Sequence, residues 1–590
     1  MSMFCQLLTQ VLIWVRVLFD SLVDFLASLY WDPKKEIIPP LDDRTKILLE
    51  SATSLALKIR KKQLKAEDLV RICIERIKLV NPFINAVTDE RYEDAIKDAQ
   101  EVDKQIEKGI SDEEFKKKPF LGVPFTAKES YAVAGMQHTL GLVERKGIKA
   151  EVDAEAVKIL KDAGAIIVAV SNIPEINKWQ ESRNMLFGQT ANPYHTGRTV
   201  GGSSGGEAAL VSAVASPIGL CSDIGGSTRM PAFYCGLFGH NPTAETTNMR
   251  GATFRTGKEK GTVVSAGTVV KNCGDLLPII KLLTAEHASE LNLDAPVDLK
   301  KLKYYYVEHT GDNRCSSVHA DLKKCMKMYV HFLNNCIGNV PLGYFNVCLP
   351  AVSIQMMSSL FKKCPNLPSA KTFCISACLS LLMRVYGDLF IICFPLFRVV
   401  DDLKETVAVN NPPVKIQLEG FKSMYKIWRY WMTKEPADFA FLLGNQKRRV
   451  HGLTEIVKKI FGMSEYSLAA ILGLLDGQVF PQEKESWAVP TTEKLKKELL
   501  EILGSDGVLL FHSAPHPAPY HYTFFVRPYN FAYWGIFNAL RLPATQVPLG
   551  LNDAGLPLGI QVVSGPNNDR LCMAVAKHLE KSEINQLIKK

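Results

Sequence analysis

Helical and strand-like hydrophobic patterns alternate along the chain. Charged and apolar residues share the stretch 44–80 at helical spacing, as in its LVRICIERIKLV segment. Further on, residues 153–164 predict a helix that ends in a glycine, and the apolar run AIIVAVS (165–171) predicts the strand that follows. The same order recurs in EKLKKELLEILG (493–504) and GVLLF (507–511). Helices that alternate with short apolar runs indicate an α/β fold whose sheet is covered by helices on both faces.

The amino-terminal segment, residues 3–31, is strongly apolar but carries three charges. Because of Arg16, Asp20 and Asp24, no charge-free run in this segment is long enough to span a bilayer. Their spacing of four residues places them on one helix face. This pattern is typical of an amphipathic helix that lies in a membrane interface, although a surface helix packed on the core is the alternative. We therefore predict that residues 1–35 form an apolar membrane-associated helix.

Composition narrows the class of protein. The chain has 590 residues, 47% of them apolar, with a net charge of +9 that is not gathered into a basic stripe. Disorder is excluded as the main state, and nucleic-acid binding is not expected. Fourteen cysteines without a C-x-x-C pair predict neither a disulfide scaffold nor a metal site. Six of these cysteines fall between positions 336 and 393, in an atypical segment at about 341–400 that reads as an insertion.

Two clusters of glycine and serine carry the chemistry: GGSSGG (201–206) and DIGGSTR (223–229). The helix predicted between them, EAALVSAVA, allows the two turns to bring serines together, and Lys128 follows an apolar run that could direct its ammonium inward. The first cluster is not a P-loop, because no Gly-Lys-Ser/Thr follows it. It also contains the G-x-S-x-G pattern of an α/β-hydrolase elbow around Ser203, but the preceding TANPYHTGRTV is polar and turn-rich, which argues against an elbow.

Together, these segments closely resemble the amidase signature family. The matched elements are GVPFTAKE, GGSSGGEAAL, DIGGSTRMPAFYCGLFGHNPT and LPATQVPLGLNDAGLPLGIQVVSGP, and the resemblance covers roughly 44–280 and 490–580. It implies one amidase domain over 36–590, built on a large twisted mixed β-sheet with helices on both faces. Within the family, RMPAFYCGLFGH and NFAYWGIFNALRLPATQ are most similar to the membrane-associated enzymes that hydrolyse fatty-acid amides.

The resemblance implies a Ser–Ser–Lys catalytic triad. Ser227 corresponds to the nucleophile, Ser203 to the bridging serine, whose preceding peptide bond is cis in the family, and Lys128 to the base. Lysine acts as a base only when neutral, so its pKa has to fall to roughly 7–8. The resemblance also implies an oxyanion hole made of four backbone N–H groups, those of Ile224, Gly225, Gly226 and Ser227.

Other residues in these motifs are not assigned a catalytic role. Ser204 and Arg229 are interpreted as supports of the site, with packing or solvated roles equally open, and Asp223 as a structural hydrogen-bond acceptor. Three histidines in the segment FHSAPHPAPYHY are interpreted as loop residues and not as bases: His512, His516 and His521. The sequence departs from the family at Asn241, where lysine is usual, and at Thr268, where proline is usual.

The function expected from the resemblance is hydrolysis of lipophilic fatty-acid amides to free fatty acid and amine, without metal or cofactor. Residues 1–31 would bind the membrane of the endoplasmic reticulum or of lipid droplets, with the catalytic domain in the cytosol and homodimer formation left open. Three alternatives stay open: a glutamine-hydrolysing amidotransferase subunit, a catalytically inactive lipid-binding relative, and an esterase that uses Ser203 or Ser204.

Overall fold

A computed structural model describes residues 3–316, 413–552 and 554–581, with the backbone alone for residues 3–14. The insertion predicted at about 341–400 lies outside these residues. The helices are α1 (Met3–Trp31), α2 (Ala52–Arg60), α3 (Ala66–Ile84), α4 (Tyr92–Lys108), α5 (Asp112–Lys117), α6 (Glu155–Asp162), α7 (Gly205–Ser212), α8 (Arg229–Tyr234), α9 (Leu276–Leu283), α10 (Ala288–Leu291), α11 (Met424–Lys434), α12 (Phe439–Leu443), α13 (Gly452–Ile460), α14 (Leu468–Gln478), α15 (Glu485–Leu503), α16 (Ala532–Ala539) and α17 (Asp569–Lys581).

Most strands join one large sheet. The strands are β1 (Val87–Glu90), β2 (Pro124–Lys128), β3 (Ile166–Ser171), β4 (Arg183–Asn184), β5 (Gly188–Gln189), β6 (Ala191–Asn192), β7 (His195–Thr199), β8 (Ile218–Asp223), β9 (Phe238–Asn241), β10 (Ser265–Val270), β11 (Lys303–Tyr306), β12 (Val414–Lys415), β13 (Gly507–His512), β14 (Ala544–Leu551) and β15 (Pro557–Ser564). Eleven of them form the central sheet in the order β1-β3-β2-β8-β10-β9-β14-β15-β13-β11-β12. Strands β4 with β5, and β6 with β7, form two separate two-stranded sheets.

The central sheet is mixed, as the resemblance implies. Strand β2 pairs in parallel with both β3 and β8, whereas β8 pairs antiparallel with β10. Strands β3, β8, β10 and β13 are buried along their whole length, which explains their near-continuous apolar sequences. The predicted alternation of helix and strand is therefore confirmed, with α6 before β3 and α15 before β13. Helix α15 begins eight residues before the predicted position 493, at Glu485.

Helix α1 turns its charged face toward the rest of the molecule and its apolar face outward. Five large apolar side chains are 44% to 60% exposed: Leu18, Phe19, Leu22, Leu26 and Leu29. On the opposite face, Arg527 donates hydrogen bonds to Asp20 Oδ1 at 3.1 Å and to Asp24 Oδ1 at 2.8 Å. Ser316 Oγ also donates to Asp20, at 2.8 Å. No helix in the described ranges has the length and hydropathy to cross a bilayer.

Candidate active site

The candidate site lies at the carboxyl ends of two neighbouring strands. Lys128 ends β2 and Asp223 ends β8, and because these strands are parallel their carboxyl ends meet at one edge of the sheet. The GGSSGG segment runs past this edge into α7, where the backbone N–H of Ser204 donates to the Ser227 carbonyl at 3.2 Å. The fold thus brings both glycine–serine clusters and the lysine to one place.

Lys128 and Ser203 form a buried hydrogen-bonded pair. Lys128 Nζ lies 2.7 Å from Ser203 Oγ and 3.0 Å from Ser222 Oγ, and the lysine is fully buried. Burial lowers the pKa of Lys128 to about 7, against the opposing negative charge of Asp223 and Glu207. The ammonium therefore loses its proton near neutral pH, as a lysine base requires. The peptide bond that precedes Ser203 is cis, as the resemblance implies.

Ser227 lies beside this pair on the wall of a cavity of about 640 Å³. Ser203, Ser222 and Ser227 all line the cavity, and Ser227 is 8% exposed. Its hydroxyl makes no side-chain hydrogen bond within the described part of the chain, so the contact between Ser203 and Ser227 that a proton relay needs is not formed in this structure. The geometry therefore brings Lys128 and Ser203 into direct contact and leaves the Ser227 hydroxyl free to face a substrate.

The four backbone N–H groups of the predicted oxyanion hole are not equivalent. The Gly226 N–H donates to Asp223 Oδ1 at 2.7 Å and is therefore already engaged. Among the described residues, the N–H groups of Ile224, Gly225 and Ser227 donate to no protein acceptor, and all three residues line the cavity. Three donors of the predicted set remain available to an anionic oxygen.

Asp223 and Arg229 form a fully buried ion pair that supports this turn. Arg229 Nε and Nη2 donate to the two Asp223 oxygens at 3.1 and 3.0 Å. Arg229 also donates to Gln561 at 2.8 Å and to Asn538 at 2.6 Å, which ties the turn to β15 and α16. Although burial alone would raise the pKa of Asp223, Arg229 lowers it, so the carboxylate stays ionised. Asp223 is therefore a structural acceptor as predicted, and the solvated alternative for Arg229 is wrong.

Two tryptophans pack against the glycines of the turn. A Cβ at Gly225 would lie 2.9 Å from Trp428 Nε1, and a Cβ at Gly226 would lie 2.3 Å from Trp534 Cβ. Gly226 also has a φ of +104°, which L side chains rarely adopt. Trp428 Nε1 donates to the Ile224 carbonyl at 3.0 Å. Both glycines are therefore needed for close packing as well as for backbone conformation.

Several site residues could not be identified from the sequence. Ser222 contacts Lys128 because it lies one residue before the end of β8, and its position next to Asp223 was the available signal. Asn538 and Gln561 lie more than 300 positions from the residues they bind, so nothing near the motifs points to them. Trp428 comes from α11, a helix outside the segments that resemble the family.

The three histidines of the segment FHSAPHPAPYHY lie away from the cavity. None of the three histidines lines the cavity: His516 lies 3.9 Å from Asp20, His521 contacts Thr196, and His512 ends β13. The interpretation of His512 as a loop residue is therefore wrong, because it is the last residue of a buried strand. Burial lowers the pKa of both His512 and His516 to about 4.

The two departures from the family lie within buried strands. Asn241 ends β9, and its Oδ1 has no hydrogen-bond partner among the described residues. Thr268, in β10, donates to the Gly219 carbonyl at 3.0 Å, so its hydroxyl is satisfied inside the sheet. The segment before GGSSGG forms strand β7, which the polar sequence had not predicted, but β7 belongs to a two-stranded sheet. The elbow reading still lacks its central-sheet strand.

Comparisons with known proteins agree with this fold. The family model described as Amidase matches residues 68–294. Fatty-acid amide hydrolase 2 of Homo sapiens is 36% identical over 573 residues, which cover 95% of this chain and 94% of that protein. Fatty-acid amide hydrolase 2-A of Danio rerio is 35% identical, with 92% and 90% of the two chains covered. A solved structure of a fatty acid amide hydrolase has a TM-score of 0.64 at 18% identity, covering 92% of this chain and 87% of that one. This chain therefore belongs to the amidase signature family and is an amide hydrolase.

Proposed function

We propose that this amide hydrolase cleaves fatty-acid amides to free fatty acid and amine through a Ser–Ser–Lys triad of Lys128, Ser203 and Ser227. The observation that carries the proposal is the buried 2.7 Å hydrogen bond between Lys128 Nζ and Ser203 Oγ, beside a cavity that Ser227 also lines. A buried lysine whose pKa is about 7 is a base at neutral pH, and a serine hydroxyl needs such a base to become a nucleophile.

The proton relay runs from Ser227 through Ser203 to Lys128. Neutral Lys128 accepts the Ser203 proton while Ser203 Oγ accepts the Ser227 proton, and Ser227 Oγ bonds to the amide carbonyl carbon. The relay requires Ser227 to approach Ser203, and such contacts commonly tighten only when substrate binds. The negative charge that develops on the carbonyl oxygen is stabilised by the free N–H groups of Ile224, Gly225 and Ser227, each worth about 3–4 kcal/mol of barrier in comparable sites.

The same relay then runs backward to release the amine. Lys128 returns its proton through Ser203 to the amide nitrogen, the C–N bond breaks, and a neutral amine leaves an ester on Ser227. A water molecule, deprotonated by the same pair, hydrolyses that ester and releases the fatty acid. Protonation of nitrogen is the demanding step, because an amide anion is a poor leaving group. No metal or cofactor takes part in this scheme.

The cavity wall favours a lipophilic substrate. Its apolar side chains come from several separate regions of the chain and include Ile176, Met230, Phe254, Trp428, Met432, Phe439, Leu442, Leu472, Phe480 and Phe531. Such a wall suits an acyl chain, since the hydrophobic effect rewards each buried CH₂ by about 0.8 kcal/mol. The names of the two relatives described above, both fatty-acid amide hydrolases, support the same class of substrate. Glutamine, the substrate of the amidotransferase alternative, would gain little from this wall.

The purified full-length protein should therefore prefer a long-chain amide to a small polar one. We expect kcat/KM for oleamide, measured as ammonia release, to exceed that for glutamine by at least about 100-fold, because burial of several CH₂ groups contributes more than the roughly 2.8 kcal/mol that this ratio needs. Butyramide serves as the control for amide chemistry without a long chain. Preferential hydrolysis of glutamine would favour the amidotransferase reading, and no hydrolysis of any amide would favour the inactive relative.

We also propose that helix α1 holds the enzyme on a membrane. Its charged face is already neutralised by Arg527, while Leu22 and Leu26 on the opposite face are 46% and 56% exposed. An amphipathic helix in water usually exposes its polar face, so an outward apolar face needs another apolar medium. The aromatic ring of Tyr30, beneath the Lys34 ammonium, suits the headgroup boundary. Membranes of the endoplasmic reticulum or of lipid droplets fit this proposal.

The double variant Leu22→Ser/Leu26→Ser should therefore bind vesicles less well than the wild type. Two large apolar side chains contribute about 1.5–3 kcal/mol each when buried, so we expect co-sedimentation with phosphatidylcholine vesicles to fall at least about tenfold. The matched control is Leu57→Ser/Leu79→Ser, at residues 40% and 48% exposed on α2 and α3. Equal loss in both variants, or none in either, would contradict the proposal. Deletion of residues 1–35 is less informative, because it would also strip Arg527 of both carboxylates.

A further inference from the structure

Lys178 differs from the other charged residues of the cavity in its lack of a hydrogen-bonded partner for its side chain among the described residues. The charged residues that line the cavity are Lys178, Arg255, Glu259, Asp438 and Asp476. Arg255 binds Glu435 at 2.8 Å, and Asp438 binds Arg449 at 2.7 Å. Glu259 accepts hydrogen bonds from the backbone of residues 256 and 257. These three groups already have protein partners, so they do not need a substrate group to balance their charge.

Asp476, the carboxylate whose charge acts on Lys178, is also hydrogen-bonded to other residues. Asp476 Oδ2 accepts from Arg429 Nε at 2.9 Å, and Asp476 Oδ1 accepts from the Tyr425 hydroxyl at 3.2 Å. Its charge still acts on Lys178 from a distance, raising the pKa of the lysine slightly against the effect of burial. In the part of the chain that the structure describes, no hydrogen bond or ion pair joins the Lys178 ammonium to Asp476 or to any other residue.

The side chain of Lys178 is nevertheless held within the cavity. Its ammonium lies 4.1 Å from the centre of the Phe439 ring, a cation–π contact. Its aliphatic stem runs past Gly473 of α14, where an added Cβ would lie 3.7 Å from Lys178 Cε. Burial lowers the pKa of Lys178 only to about 8, so most molecules carry the charge at pH 7. The cavity thus presents a positioned cation without a bonded anion.

We propose that Lys178 is a specificity residue that selects amide substrates bearing a carboxylate. The proposal rests on the proposed function, because the carboxylate has to belong to an amide that Ser227 cleaves. A cation in a mostly apolar cavity gains most from an anion that the ligand supplies, since the low dielectric strengthens the pair. The carboxylate can come from the amine portion, as in an N-acyl amino acid, or from the far end of the acyl chain.

The test compares three substrates in the full-length protein and in its Lys178→Met variant. N-oleoylglycine carries a carboxylate on the amine side, a dicarboxylic acid monoethanolamide carries one at the acyl end, and N-oleoylethanolamine is neutral. Methionine removes the ammonium and keeps an unbranched apolar side chain that is slightly shorter. We expect kcat/KM for one of the two anionic substrates to fall about 10- to 100-fold, the value of a charge-assisted hydrogen bond, while the neutral substrate changes less than about threefold.

The charge-conserving variant Lys178→Arg provides the matched control and should keep at least about a third of the wild-type preference for the anionic substrate. The substrate that responds identifies the source of the carboxylate. An unchanged ratio of anionic to neutral kcat/KM in Lys178→Met would overturn the proposal while the proposed function stands. If the wild type cleaves none of the three amides, the proposed function itself is overturned. Lys178→Gln, also neutral, replaces the methionine variant should that one fail to fold, and the same ratios decide.

Discussion

Replacing Ser227 with alanine should reduce oleamide hydrolysis by at least about 10⁴-fold, because removal of the nucleophile from a serine hydrolase costs about 10⁶ in kcat. The fold should be unaffected. Within the described residues the Ser227 hydroxyl makes no side-chain hydrogen bond, so its removal leaves no buried partner unsatisfied. We expect the free energy of unfolding to change by less than about 0.5 kcal/mol. Ammonia release and a denaturant titration measure the two quantities.

A matched control separates chemistry from general damage. Ser265 in β10 is 1% exposed, and its hydroxyl also has no hydrogen-bond partner among the described residues, but it does not line the cavity. Ser265→Ala should therefore keep wild-type turnover. Comparable turnover in Ser227→Ala and Ser265→Ala would refute the assignment of the nucleophile.

Labelling with a fluorophosphonate locates the reactive serine independently. In the wild type the adduct should map to Ser227, and Ser203→Ala should slow labelling without abolishing the fold, because it interrupts the relay to Lys128. An adduct on Ser203 or Ser204 in the wild type would support the esterase alternative instead. Mass spectrometry of the tryptic peptides distinguishes these positions.

The chemistry of the site could be predicted because it resides in local motifs. Lys128, Ser203 and Ser227 lie in the segments GVPFTAKE, GGSSGGEAAL and DIGGSTR, and the resemblance of these segments to the amidase signature family identifies all three. The groups that hold the turn could not be predicted in the same way. Asn538 and Gln561 reach Arg229 from positions 309 and 332 residues away, and pairing over such distances depends on strand order, which hydrophobic periodicity does not contain.

Helix α1, at the surface, shows the same limit of prediction from sequence. Its periodicity separates a charged face from an apolar face, and this division is confirmed. Which face points outward depends on Arg527, 507 residues away from Asp20, and no pattern within α1 identifies that partner. Likewise, Lys178 looks like an ordinary loop lysine in the sequence, and only the packing of α12 and α14 around it makes it a cavity residue.

The second large effect is expected at Lys128. Lys128→Met keeps an unbranched side chain of similar bulk but removes the base, and we expect kcat/KM for oleamide to fall by about 10²- to 10⁴-fold. Lys128→Arg should be equally impaired, because a guanidinium stays protonated at every pH the enzyme tolerates. The surface control is Lys301→Met, at a side chain 85% exposed, which should leave turnover unchanged. Substantial activity in Lys128→Arg would show that a neutral lysine is not required.

The pH dependence of activity and stability, in the wild type and in Lys128→Met, tests the role of Lys128 in another way. Since only neutral Lys128 accepts a proton, wild-type kcat/KM should rise with pH and reach half of its plateau near pH 7. Stability should follow the same ionisation. Burial lowers the pKa of Lys128 from 10.5 to about 7, so protonated lysine opposes folding most strongly below pH 7 and not at all above its unfolded pKa. The stability of Lys128→Met relative to wild type, measured by denaturant titration, should therefore increase as the pH falls from 10 to 6. A relative stability that is flat over this range, with an activity profile that does not bend near pH 7, would mean that Lys128 stays charged and that another group removes the proton from Ser227.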